Sequence, residues 1–339
     1  MTYPKKPLAA GLTVEVEAPA RLHLGFLDLH GGLGRRFGSI GLTIDTLATR
    51  LRAERSQGIT ASGPGAERAL RYASAYIAAR GIEGGVDIRL LQAIPDHVGL
   101  GSGTQMALAV GTAIERLYGG ENDSAAIAQT LDRGRRSGIG IGAFDQGGFI
   151  LDCGRGETEG VPPVAVRLPF PSQWRVLLLF DTRGQGLHGE KEVAAFSKLP
   201  EFPEQLAAHL CRLVMMQALP GVLEGQLQPF SKAISEIQQV VGDHFAPAQG
   251  GRFTSPVISA ALEWSAAQGF GGIGQSSWGP TGFVLLEEAA QAQWLERALK
   301  QHFGEFSAFR CQQVAARNQG AGVTLLQQPT RLRQKKRAH

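Results

Sequence analysis

A chain of 339 residues, 43% hydrophobic and 19% charged, can bury a core large enough for two lobes and is too apolar for intrinsic disorder. The net charge of +4 comes from the terminal RLRQKKRAH (331–339), whose five basic residues leave the remainder near neutral, which argues against a nucleic-acid partner. Three scattered cysteines, no apolar core for a signal peptide and no run of ~20 apolar residues exclude a disulfide framework or zinc site and point to a cytoplasmic protein without a membrane partner.

LTVEVEAPARLHLGFLDL (12–29) alternates apolar and polar residues and predicts strand, break, strand. HGGLGRRFGSIGL (30–42) follows as a glycine-rich turn, then ITASG (59–63) and a helix over Ala66–Arg80 closed by Gly81. VDIRLLQAI (86–94) reads as a strand ended by Pro95. After the loop GLGSGT (99–104), Met106, Ala109, Val110, Ala113, Ile114 and Leu117 keep helical spacing up to Gly119-Gly120. A second helix is expected from Asp123-Ser124 to about Gly134, then RRSGIGIGAFDQGG (135–148) as loop and FILDC (149–153) as strand. The proline-rich VPPVAVRLPFPSQW (161–174) marks a seam between lobes. Beyond it come a buried strand, WRVLLLFD (174–181), and helices near 202–218, 222–242 and 255–268. A second glycine loop, GFGGIGQSSWGPTG (269–282), runs into the strand FVLL (283–286), and a helix to His302 and two strands finish the chain. The reading is α+β, with lobes at 1–165 and 166–328 and a basic, disordered tail at 329–339.

The 45 glycines far exceed an average of roughly 7% and mark tight backbone passages around ligands. Glycines that open a helix let peptide N–H groups converge on an anion, and the helix dipole adds attraction. Gly99, Gly101 and Ser102 are placed for that, with a plain strand–helix turn as the alternative. The chain has no Gly-Lys-Ser/Thr, and the dinucleotide pattern G-x-G-x-x-G fails at Thr104.

PDHVGLGS (95–102) resembles the phosphate loop of the GHMP kinase superfamily. In matching order, APAR (18–21) resembles its early Ala-Pro-Gly-Lys segment, SGIGIGAFDQGG (137–148) its serine-glycine loop with an acidic residue at Asp145, and GIGQSSWGPTG (272–282) its late glycine motif. The resemblance implies a two-lobe fold, ribosomal-protein-S5-like then ferredoxin-like. The departures point away from phosphorylation: Gly103 replaces a second hydroxyl, Arg21 a lysine, and Trp278 and Pro280 stand where glycines are usual. RLHLGFLDLHGGLGRRFGSIGL (21–42), HVGLGSGTQ (97–105) and RSGIGIGAFDQGG (136–148) closely resemble the β-ribofuranosylaminobenzene 5′-phosphate synthase family.

That resemblance implies a decarboxylating phosphoribosyltransferase of tetrahydromethanopterin biosynthesis. It would join phosphoribosyl pyrophosphate to 4-aminobenzoate or 4-hydroxybenzoate and release CO2 and pyrophosphate. Such a site needs donors around two phosphate groups, a carboxylate near an oxocarbenium-like sugar and a hold on an aryl acid. The expected catalytic residues are Asp28, Arg35 and Asp145, with Asp28 and Asp145 also as Mg2+ ligands. Substrate is expected at Arg21, His23, Arg36, His97, Gly99, Gly101, Ser102, Gly103, Thr104, Ser276 and Ser277, and more weakly at His188 and Lys191. Bland readings stand beside these: a solvent-facing strand residue or a partner of Arg35 for Asp28, a solvated loop pair for Arg35 and Arg36, a turn cap for Asp145, a structural ring for His97. The implied cofactor is Mg2+, without ATP or pyridoxal phosphate, and the superfamily suggests a homodimer. The alternatives are an ATP-dependent small-molecule kinase of the same superfamily and a non-catalytic sensor of a phosphate ligand.

Overall fold

The computed structural model describes residues 11–157, 160–183 and 199–327. The stretch with His188 and Lys191, and the basic tail, lie outside the described residues.

The first sheet is built on two long strands, β1 (Leu12–Asp28) and β2 (Phe37–Ser56), paired antiparallel. β11 (Gly322–Gln327), β1, β2, β4 (Gly85–Gln92) and β3 (Thr60–Ser62) lie in that order, and β5 (Phe149–Asp152) and β6 (Val164–Leu168) extend the sheet from β2. The expected break in the first strand is two register shifts, at Pro19/Arg21 and His23/Gly25. Bulges absorb the proline and re-aim the side chains between them, Arg21 and His23 among them.

Two helices match their sequence signals closely. α1 (Ala66–Arg80) ends on left-handed Gly81, and α2 (Ser102–Tyr118) ends on left-handed Gly119. α2 is buried on nearly every side, from Met106 to Leu117. After α3 (Ser124–Thr130), the segment expected as a loop contains α4 (Ile139–Asp145). Its glycines are poor helix formers, but burial overrides propensity here. Gly138 N–H donates to the Asp152 carboxylate at 2.9 Å and Ile139 N–H to Ser137 Oγ at 3.2 Å. Gly140 faces Thr104 so closely that an added methyl would lie 3.0 Å from its Cγ2.

The second sheet has the order β10 (Phe309–Val314), β7 (Arg175–Asp181), β9 (Gly282–Leu286), β8 (Ile273–Gln275), all antiparallel. Helix α5 (Glu204–Leu213) passes through a π-helical stretch, Val214–Ala218, into α6 (Leu219–Leu223), and α7 (Leu227–Gln249) follows. The span Glu204–Leu223 is long and apolar enough to cross a membrane by composition, contrary to the sequence reading; part of it, including Leu210, Val214 and Ala218, is core. α8 (Pro256–Ala267) and α9 (Ala289–Phe303) cover one face of the sheet through Ile258, Leu262, Leu295 and Leu299. On the other face, Leu178 and Phe283 share a core cluster with Leu22, Leu24, Ile40 and Leu42 of the first sheet. The expected seam at 165/166 falls inside β6, which pairs in the first sheet, and β11, expected in the second lobe, pairs with β1.

Candidate functional site

The loop before α2 turns on Gly99 (φ 86°) and Gly101 (φ 84°), both left-handed. A methyl on Gly99 would lie 2.2 Å from the Ser276 carbonyl oxygen, and one on Gly101 would be 3.2 Å from the Arg21 guanidinium. The glycines therefore let the phosphate-type loop nest between β1 and the loop after β8. The first intrahelical bond of α2 runs from Gln105 N–H to Gly101 O at 3.0 Å. The N–H groups of residues 102–104 are thus the ones a helix leaves for an outside acceptor.

These groups border a cavity of about 910 Å³. Arg21, Arg68, Arg71 and Arg133 line it, together with His97, Gly99, Gly101, Ser102, Gly103, Thr104, Ser277 and Trp278. Its two carboxylates are Glu67 and Asp96, so guanidinium charge dominates. Arg68 donates to Ser102 Oγ at 3.2 Å and pairs with Asp96 at 2.5 Å. Arg21 Nη1 donates to Gly99 O at 2.5 Å. Arg133 lies over the Tyr72 ring, 5.3 Å from its centroid, and its Nε is buried without a hydrogen-bond partner. Such a wall suits a polyanion.

Sequence reasoning missed Arg68, Arg71 and Arg133. Arg68 and Arg71 are three apart on α1 and so share a face, a signal the sequence did carry. Arg133 joins them only through the packing of α1, α2 and α3.

The structure revises Ser276. It is wholly buried, donates to Gly99 O at 2.8 Å and accepts from His23 N–H at 3.0 Å. It ties the two glycine loops to β1 and has no proton left for a ligand. Its neighbour Ser277 lines the arginine cavity and also a second one, as does Trp278.

That second cavity, of about 30 Å³, lies between β1 and α7. His23, Phe26, Phe245 and Trp278 supply its rings. His23 is 5% exposed; burial, aided by the Arg21 charge, pushes its pKa down to about 3. Its ring stands edge-on to Phe26 at 4.6 Å, and Nε2 has no hydrogen-bond partner.

Asp28, Arg35 and Arg36 are placed elsewhere. Asp28 Oδ1 accepts from Gly31 N–H at 2.7 Å; Arg35 donates to the carbonyls of Cys153 and Gly154 at 2.9 and 2.6 Å; Arg36 donates to Leu29 O at 2.8 Å. They border a third, largely apolar cavity of about 350 Å³ that shares no residue with the arginine-lined one. Both the turn and the ladder ends around it depend on these bonds, so the pair shapes the β1–β2 hairpin and does not meet the loop at 99–103. Asp145 ends α4 and lines none of the three cavities. Burial raises its pKa, a hydrogen bond from Ser124 lowers it and the charge of Asp123 raises it. Asp28 and Asp145, the expected Mg2+ ligands, therefore do not line a common cavity among these three. Among the described residues no three His, Cys, Asp or Glu side chains cluster to hold a metal ion.

Comparison with known proteins agrees with this architecture. Residues 66–152 match the family described as GHMP kinases N terminal domain, and residues 216–305 match GHMP kinases C terminal. A beta-ribofuranosylphenol 5'-phosphate synthase from Archaeoglobus fulgidus is 31% identical over 324 residues, covering 92% of this chain and 99% of that protein. A synthase of the same name from Methanocaldococcus jannaschii is 33% identical over 250 residues, covering 66% and 76%. Among solved structures, homoserine kinase from Cytophaga hutchinsonii superposes with a TM-score of 0.62 at 19% identity over 92% of this chain and 97% of that one, a likeness of fold.

Proposed function

The chain belongs to the beta-ribofuranosylphenol 5'-phosphate synthase family, and from that premise we propose that it joins phosphoribosyl pyrophosphate to 4-aminobenzoate or 4-hydroxybenzoate. CO2 and pyrophosphate leave, and the product enters tetrahydromethanopterin biosynthesis. The observation that carries this reading is the cavity where four arginines and the N-terminus of α2 converge.

In this reading the diphosphate lies against Arg68, Arg71 and Arg133, with the N–H groups of residues 102–104 at its oxygens. These donors stabilise charge that grows as the anomeric C–O bond breaks, so they act more strongly on the transition state than on the ground state. Arg21, anchored to Gly99 O, fixes the loop while adding charge to the same wall. Gly103 has no hydroxyl to offer magnesium and a nucleotide, which supports a reaction without ATP. Glu67 and Asp96 are the carboxylates on the wall that would hold Mg2+, which would supply further positive charge for the diphosphate. Cytoplasmic location and a homodimer complete the proposal; the free cysteines Cys153, Cys211 and Cys311 suit a reducing compartment.

The test is release of labelled CO2 from carboxyl-labelled aryl acid with phosphoribosyl pyrophosphate and magnesium, without ATP. No release with either acid counts against the reading.

A further inference from the structure

We propose that a further arginine-lined cavity, which shares Arg133 with the diphosphate cavity, seats the 5′-phosphate of the activated ribose. This rests on the synthase reading above, which places the diphosphate end of the sugar and leaves its other anionic end without a seat.

Three observations carry it. First, the two spaces adjoin. The further cavity, of about 260 Å³, is lined by Gln129, Asp132, Arg133, Arg135 and Arg155, and Arg133 also lines the diphosphate cavity. Its Nη1 lies 3.7 Å from where a Cβ would stand on Gly103, in the first turn of α2. One guanidinium therefore borders both spaces.

Second, positive charge is in excess. Three arginines line this cavity with one carboxylate, Asp132, which pairs with Arg135. The two side chains of that pair are 73% and 63% exposed. Exposed pairs contribute little, so Arg135 can exchange Asp132 for a phosphate oxygen. Arg133 is held by the Tyr72 ring, 5.3 Å from its centroid, and its Nε has no hydrogen-bond partner.

Third, the backbone that carries these arginines is fixed. Asp132 (φ 57°) and Gly134 (φ 77°) are left-handed on either side of Arg133, whose N–H donates to Ala128 O at 2.7 Å. Arg155 exchanges backbone bonds with Arg36 at 2.8 and 2.9 Å, which pins it to the start of β2. Left-handed Gly154 permits that approach, since a Cβ there would lie 2.4 Å from Arg36 O.

The chemistry matches a phosphomonoester. Such a group carries close to two negative charges near neutral pH and three acceptor oxygens, which guanidinium forks take in pairs. The diphosphate departs during the reaction, whereas the 5′-phosphate stays on the product. A separate seat for it keeps the electron-poor sugar in place after its leaving group has let go. The ribose then spans Arg133, with one anionic end on each side.

The experiment titrates wild type, Arg155→Ala and Arg155→Lys with ribose 5-phosphate and with inorganic pyrophosphate by calorimetry, alongside labelled CO2 release. Wild type is expected to bind both ligands at once, so saturating pyrophosphate does not displace ribose 5-phosphate. Arg155→Ala weakens ribose 5-phosphate about tenfold, as the loss of one charge-assisted bond implies, and leaves pyrophosphate within about twofold. In turnover it raises KM for phosphoribosyl pyrophosphate and leaves KM for the aryl acid unchanged. Arg155→Lys, which keeps the charge, recovers part of both losses. A wild type that binds pyrophosphate alone, or in which pyrophosphate displaces ribose 5-phosphate, overturns the inference without any variant. So does an Arg155→Ala protein with unchanged affinity for ribose 5-phosphate. The synthase reading fails separately, through a wild type that releases no CO2 from either acid.

Discussion

Arg68 bonds Ser102 and Asp96 at the head of α2, so its loss removes charge from the diphosphate wall and a partner from the loop. Charge-assisted bonds contribute about 1.5–3 kcal/mol each. Arg68→Ala is therefore expected to weaken inorganic pyrophosphate binding at least tenfold by calorimetry. Arg35→Ala, which unclasps the Cys153 and Gly154 carbonyls in another cavity, should leave that affinity within twofold. An equal loss in both would move the diphosphate toward the hairpin. His23 gives a second prediction. Its folded pKa, about 3, lies below the value near 6.5 of an exposed histidine. Between those limits the unfolded chain binds a proton that the native state refuses, so stability falls as pH drops from about 6.5 toward 3. Thermal melts of His23→Phe against wild type should show a shallower decline over that window. Identical slopes would mean that the ring is not buried as a neutral base.

At the scale of elements, the loop at 99–103 and the strap at 276–279 act as one unit, because Ser276 bonds both β1 and the loop. Ser276→Ala takes the acceptor from the buried His23 N–H and is expected to cost about 1–3 kcal/mol in denaturant titration. Gly103→Ser should cost little, under about 0.5 kcal/mol, since the nearest atoms to an added Cβ, Arg133 Nη1 and Tyr72 Oη, lie at 3.7 Å. α1 was legible to the residue and α2 at its C-terminal end, because glycine stops and apolar spacing agree there; the first turn of α2, from Ser102 to Thr104, reads as loop in the sequence. α4 was hidden, since four residues of SGIGIG speak for a loop and only contact with Thr104, Ile150 and Asp152 makes the helix. The phosphate loop itself was readable from its own glycines. The arginines that face it were not, because α1 and the turn after α3 bring them from about 30 positions away along the chain.

Across the whole molecule, one core cluster joins the two sheets, and the two cavities that share Ser277 and Trp278 open at that junction. Sequence reading located the family and the loop, but it did not show that Asp28 and Arg35 line a different cavity from that loop and that Asp145 lines neither: charged residues near a glycine turn look alike until the hairpin is seen to carry them. The central claim is that a diphosphate held by arginines and α2 leaves a sugar that an arene attacks without ATP. The measurement that tests it most directly is CO2 release from carboxyl-labelled 4-aminobenzoate and 4-hydroxybenzoate with phosphoribosyl pyrophosphate, in wild type and Arg68→Ala. The account predicts ATP-independent release by wild type and at least tenfold less by the variant at subsaturating phosphoribosyl pyrophosphate. Release that requires ATP, or that is unchanged in Arg68→Ala, would contradict it.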